Sequence, residues 1–304
     1  MFWKRFGEFI LKNRVQALGT TLLCSFLPFV GPASVVIAAF VTLCRGAYEG
    51  SLVLVVACAP FILGYVASGS SDYDFILNAV VIILLSSFLT WFYALILAKT
   101  HSWSVTLQVA TLLSIIAICV VHYLYPQIDQ WWQVKLTDYF TKALNMSGEG
   151  KTLLSSSMST QDLVRNLKDN ATGYVAGFVS FYALIQLALA RLWQATIFQP
   201  GALQIELHNI RLSNVAGGFF IAVFIGSYWQ YKVVIDILPV VVFTFSLAGL
   251  SLIHYLAQPL KHKKFILFIV YLLLSIIPPL MTLLAFLALV DTAVDIRKRV
   301  KQTI

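Results

Sequence analysis

Charge is what this sequence has least of. Only 11% of its 304 residues are Asp, Glu, Lys or Arg, while 60% are hydrophobic. A soluble domain carries about 25% charged residues, so a water-facing surface cannot be built from this composition. Cysteine is scarce too. Cys24, Cys58 and Cys119 lie in apolar runs, Cys44 directly follows one, and none forms a CxxC pair, which argues against a disulfide or metal framework. HExxH, GxSxG, metal-spaced His/Cys clusters and paired carboxylates in catalytic surroundings are also missing. The chain is therefore not expected to be an enzyme, and nothing in it calls for a cofactor or a metal. The stretch from Gly148 to Thr152 looks like the end of a phosphate-binding loop. That loop needs a Gly five positions before its final Gly, and the residue there is Asn145. The Asn-x-Ser/Thr triplets at Asn145 and Asn170 matter only on a eukaryotic secretory route and carry no weight.

Long apolar runs are what the sequence has in excess. They are Val15–Val30, Ala33–Leu43, Ser51–Val66, Phe75–Leu97, Trp103–Tyr125, Gly173–Ile197, Val215–Trp229, Val233–Leu256 and Phe265–Val290. Pro28, Gly31 and Pro32 separate the first two, and Pro278 and Pro279 divide the last. A spanning helix needs about 20 apolar residues. Backbone groups in lipid must be bonded within the segment, so these runs are predicted to be helices. The expected fold class is all-α, a polytopic transmembrane bundle of about eight to ten membrane segments, with residues 1–304 as a single integral membrane domain. Met1–Arg14 is charged and no small-residue cleavage site follows it, so the first run reads as a retained span.

The net charge of +8 would suggest nucleic acid in a soluble protein. Here the basic residues sit in short loops and read as topology signals facing the lipid bilayer, with no nucleic-acid partner. Lys4, Arg5, Lys12 and Arg14 place the N-terminus in the cytoplasm, and the first two runs return Arg45 to that side. The loop Ala67–Asp74 lies outside, Lys99 and His101 inside, Pro126–Asn170 outside, Arg191 and Arg211 inside, Lys232 outside, and Lys261, Lys263 and Lys264 inside. If Phe265–Val290 crossed once, the tail bearing Arg297, Lys298, Arg299 and Lys301 would be outside, against the rule. A hairpin or re-entrant form at Pro278-Pro279 restores agreement, because proline ends or kinks a helix. These signals together predict a multi-pass protein of a bacterial inner membrane.

The extracytoplasmic segment 126–170 carries its own pattern. Ile128, Trp132, Leu136, Tyr139, Phe140 and Ala143 recur at helical spacing, with Asp129, Gln133 and Lys142 elsewhere on the wheel. This predicts an amphipathic helix on the outer leaflet, with Trp131 and Trp132 as interfacial anchors. Ser147–Ser159 reads as a flexible polar loop. Thr160–Lys168 reads as a second short helix, capped by Ser159 or Thr160.

Polar groups inside apolar runs are the candidates for function. Gln186, Arg191 and Gln194 share one run. Gln186 is too deep to reach water and needs a partner, whereas Arg191 can extend toward the cytoplasmic interface. Positions 187, 190, 191 and 194 share a helix face. His254 sits near the end of its run, where an interfacial histidine is the simpler reading. Asp291, Asp295 and Arg297 follow the last run. Asp295 and Arg299 have pairing distance in sequence, and the tail carboxylates could also form an internal ion pair with Arg191. Gly173 and Gly177, and likewise Gly218, Ala222 and Gly226, repeat at the spacing that lets helices approach closely. Packing within the chain is the plain interpretation of these stripes, and docking to another membrane subunit is the alternative.

Several stretches together resemble a known family. They are Phe9 through Ala17, Arg191 through Gln194 followed by Pro200-Gly201, Pro278-Pro279-Leu280, and the ending with Val290, Asp291, Asp295 and Arg297–Arg299. They resemble the YybS-like family of bacterial integral membrane proteins, of the DUF2232 type. That family is distantly similar to the S-components of energy-coupling-factor transporters. The resemblance implies an all-helical membrane fold and small-molecule capture. S-components carry an Ala-xxx-Ala contact on an early helix, and here Ala17 and Thr21 hold that spacing. The expected function is therefore transport-related, with an unidentified small molecule held between helices. Its entrance would lie under the Trp131–Leu144 helix, with Gln186, Arg191, Gln194, His254 and the tail charges as polar or gating contacts. A non-transporting membrane scaffold is the alternative.

Overall fold

The computed structural model describes residues 2–27, 30–68, 73–146, 160–277 and 279–303. All regular structure among them is helical, and the chain is an all-α polytopic membrane protein. Among the described residues, five helices are long and apolar enough to cross a bilayer: Ala47–Ala67, Leu77–Thr100, Trp103–Leu124, Ala171–Phe198 and Lys232–Ala257. Three shorter apolar helices, Gly31–Arg45, Asn214–Trp229 and Leu280–Val294, accompany them.

The distribution of side chains is that of a protein dissolved in lipid. Large apolar residues face outward, among them Val15, Val55, Leu63, Phe178 and Val215. The fully enclosed positions are rich in small ones: Ala38, Ala39, Ala57, Ala94, Ala183, Ala190 and Ala285. Lipid tails are as apolar as leucine, so burying leucine gains little there. Close backbone approach is what holds the helices.

The helix ends follow local chemistry. Gly46, with φ of +92°, separates Gly31–Arg45 from the next helix. Ser213 accepts a hydrogen bond from the Ala216 amide at 3.2 Å and caps Asn214–Gly226. Gly201, with φ of +88°, turns the chain out of Ala171–Phe198 and into the short helix Ala202–His208. Asp295, at φ +54°, ends Leu280–Val294 and starts the basic helix Ile296–Thr303.

The chain forms two compact units. The first comprises residues 1–110, 179–211 and 250–267. It opens with a helix the sequence reading treated only as charged flank, Phe2–Lys12. That helix presents Lys4 and Arg5 outward and buries Ile10. Trp193 fixes it, donating to the Trp3 carbonyl at 2.9 Å and stacking between Phe6 and Phe40. Arg45 donates to the Leu11 carbonyl, and Arg14 pairs with Glu49. Ala17 and Thr21 are both buried, and the Thr21 hydroxyl donates back to the Ala17 carbonyl at 2.7 Å.

The second unit comprises residues 111–178, 212–249 and 268–304. Glycines set its closest contacts. A Cβ at Gly173 would collide with the Asp236 backbone, and one at Gly249 with the Leu284 carbonyl. Phe220 is completely enclosed against Phe245 and Phe286. The amphipathic helix is present as Ile128–Met146. Ile128, Trp132, Leu136 and Phe140 form its half-buried face, while Tyr139 and Ala143 are exposed. Asp129, expected on the outer side of the wheel, is instead buried and pairs with Lys232, which draws it inward. Thr160–Lys168 is helical, as its spacing predicts. The Ser147–Ser159 loop, the phosphate-loop-like stretch Gly148–Thr152, Pro28 and Pro278 lie outside the described residues. The division of the last apolar run is evident in the separate helices Lys263–Ile276 and Leu280–Val294.

Candidate functional site

In the first unit, three of the polar residues singled out from sequence fall on one helix, Ala171–Phe198, and each finds a partner there. Gln186 is only 3% exposed. Its Oε1 accepts a hydrogen bond from the Thr90 hydroxyl at 2.7 Å, which supplies the partner that its depth requires. Nearby, Tyr93 and Ser180 hydroxyls meet at 3.0 Å. Leu187 and Ala190 are enclosed on the same face as Arg191 and Gln194.

Arg191 does not merely reach for the interface. Its guanidinium Nε donates to Glu206 Oε2 at 3.1 Å, its Nη2 pairs with Glu206 Oε1, and its Nη1 donates to Gln194 Oε1 at 2.7 Å. The two-pronged geometry is the one in which an arginine–carboxylate pair is strongest. Glu206 also accepts from Trp103 Nε1 at 3.1 Å, and Gln194 donates to the Leu43 carbonyl at 3.0 Å. Four helices thus converge on one charge pair. The internal ion pair expected between Arg191 and the tail carboxylates is replaced by this one. The turn at Pro200-Gly201 folds Ala202–His208 back so that Glu206, fifteen residues on, reaches Arg191 first.

These groups border a cleft of about 230 Å³, lined by Arg191, Glu206, Gln194, Gln199 and His101 on its polar side, and by Leu43, Leu97, Ala98 and Phe198 on its apolar side. His101 holds a left-handed backbone, φ +50°, between two helices and is exposed. A second opening, about 640 Å³, lies beside Trp131 where a capture entrance was expected. Apart from Gln127 its lining is apolar: Val121, Leu124, Tyr125, Pro126, Ile128 and Trp131. The polar candidates do not line it. His254 is half-buried, with Nδ1 2.9 Å from the Leu250 carbonyl and its ring 5.8 Å from that of His208. His208 in turn contacts Gln258.

The second unit holds a cluster the sequence reading passed over. His122 Nε2 lies 2.6 Å from Asp236 Oδ2, and Asp236 Oδ1 accepts the Gly173 amide at 2.8 Å. The side chains are 8% and 2% exposed. Asp236 thereby satisfies an amide in the first turn of Ala171–Phe198, where a helix has donors without internal partners. Beside it, Trp132 Nε1 donates to the Thr172 hydroxyl at 2.9 Å. In the tail, Arg297 Nε lies 3.3 Å from Asp291 Oδ2, and Asp291 Oδ1 accepts the Ile296 amide at 3.0 Å. Asp295 caps the following turn through the Lys298 amide, and Arg299 Nε donates to the Val294 carbonyl at 3.2 Å.

The small-residue stripes divide. Gly173 and Gly177 pack within the chain, against Asp236 and Val240. Gly218 and Ala222 face outward, and a Cβ at Gly218 would meet nothing within 4 Å among the described residues. The inward contact on that helix is made by its neighbour Gly217, against Leu289 and Thr292. A Cβ at Gly226 would meet the Val234 side chain at 3.4 Å.

A family described as a predicted membrane protein, DUF2232, matches residues 202–292. The match includes Glu206, Asp236, His254 and Asp291, and begins after Arg191. Comparison with curated proteins and with solved structures gives no match.

Proposed function

We propose that this chain is a transport-related protein of a bacterial inner membrane, similar in kind to the S-components of energy-coupling-factor transporters. Its N-terminus lies in the cytoplasm, it holds a small molecule in the Arg191–Glu206 cleft, and it draws energy from another membrane subunit. The observation that carries this reading is the cleft itself, where opposite charges, two amides and an imidazole stand against an apolar wall. Ligand sites have this composition, an apolar wall with a few placed polar groups that fix orientation. At about 230 Å³ the space suits a compact polar molecule. A ligand carrying both charge signs would exchange its own groups for the Arg191–Glu206 contact, so neither protein charge would be left unpaired.

Native mass spectrometry of the protein purified in mild detergent tests the proposal. A reproducible small-molecule adduct is expected, absent from Glu206→Gln. An adduct that survives both Glu206→Gln and Arg191→Gln would place binding elsewhere and sink this site. The alternative, a scaffold that organises other membrane proteins, gains support from Gly218 and Ala222 facing outward. Under that reading a stable protein partner co-purifies without a small molecule, and Gly218→Leu removes it.

A further inference from the structure

Contacts with two neighbouring helices in the second unit fix the direction of the last apolar helix. The Ser246 hydroxyl donates to the Met281 carbonyl at 2.6 Å, and Gly249 abuts Leu284. Both numbers rise together, so Leu280–Val294 runs parallel to Lys232–Ala257. Against Asn214–Gly226 the order reverses. Phe224 and Phe220 meet Phe286, whereas Gly217 meets Leu289 and Thr292. The two observations agree, because Asn214–Gly226 is itself antiparallel to Lys232–Ala257. Gly226 lies by Val234 and Phe220 by Phe245.

Depth follows from the helical rise of about 1.5 Å per residue. Lys232–Ala257 has 26 residues and a length of about 39 Å, enough to cross a hydrocarbon core of about 30 Å. Met281 stands level with Ser246, about 21 Å from Lys232, near the middle of the bilayer. From there, Leu280–Val294 runs away from the Lys232 side. The helix before the break, Lys263–Ile276, has 14 residues and extends about 21 Å, too short to cross alone. The break keeps its backbone bonded, with the Ile277 amide on Leu273 at 2.8 Å and the Leu280 amide on Ile277 at 3.0 Å. Such a break is tolerated at membrane depth only where those groups are satisfied.

We infer that residues 263–294 form a re-entrant hairpin that enters from the Ala257 side, turns at mid-membrane and returns to that same side. The basic helix Ile296–Thr303 then lies opposite Lys232 and Asp129, at the cytoplasmic face by the charge rule. Lys298 and Arg299 are exposed there to anionic headgroups. Arg297 turns back onto Asp291 and pins the return. This topology holds whether the protein moves a solute or docks a partner.

Single cysteines in a background with the four natural ones replaced by alanine test it, using a membrane-impermeant maleimide on sealed vesicles of known orientation. Lys298→Cys and Lys261→Cys are expected to label from one side, and Tyr231→Cys only from the other. Labelling of Lys298→Cys from the Tyr231 side would overturn the hairpin. Ile277→Cys supplies a second reading. It is expected to react from neither side, and reaction from the Tyr231 side would mean that the segment crosses.

Discussion

The two units treat buried charge in different ways. In the second, Asp236 spends both oxygens on its neighbours, one on His122 and one on the Gly173 amide, and the pair is enclosed. In the first, Arg191 and Glu206 are equally well matched but stand at the edge of a cleft, with side chains 14% and 26% exposed. A carboxylate whose partners leave it no free face acts as a fastener. An ion pair at a cavity wall can exchange partners. The contrast gives the former a role in stability and makes the latter the place of the proposed ligand contact, and it can be attacked from both sides.

The largest effect is expected at the fastener. Asp236→Ala leaves an imidazole and a helix-terminal amide without their acceptor, and each buried donor left unsatisfied costs about 1–3 kcal/mol. Equilibrium unfolding in mixed micelles measures this, and a loss below about 1 kcal/mol would put Asp236 in the same class as the cleft. Next comes Gly173→Leu, which forces a side chain into the Asp236 backbone. Overpacking costs typically about 1–3 kcal/mol, more where backbone must move. The same unfolding measurement checks it, with Gly64→Leu, in open space, as the control. Breaking the hydrogen bond between spans with Thr90→Val is expected to cost about 0.6 kcal/mol, the average for such bonds in lipid. Smallest is Gly218→Leu, within about 0.5 kcal/mol of no change because the site is exposed. A marked loss of stability there would mean that the outward face is packed after all.

Much of the fold is legible in the sequence, because lipid imposes length and polarity rules on each segment separately. The apolar runs, the bounds of Thr160–Lys168 and the break before Leu280 could all be read locally. Gln186 could be recognised as needing a partner. The identity of that partner, Thr90, depends on which helices are neighbours, and no local pattern encodes that. Glu206 was missed because it lies in a short polar connection that looks like loop. Only the turn at Gly201 brings it back to Arg191. His122 and Asp236 were missed because each sits near the end of a span, where an ionisable residue ordinarily needs no explanation. Their meaning appears only when the two helix ends are seen side by side. The stripe at Gly218 misled in the opposite direction. Two adjacent glycines offered two possible faces, and it is Gly217 that turns inward.

The turn at Gly201 has one more consequence. Its φ of +88° is a conformation that a side chain with a Cβ rarely adopts. Seven residues of helix follow it like a latch arm with a carboxylate near the tip. A valine at the pivot would not touch the cleft, yet it would swing that arm and take the carboxylate away from the guanidinium. The reach of the latch is thus set by one atom that glycine does not have.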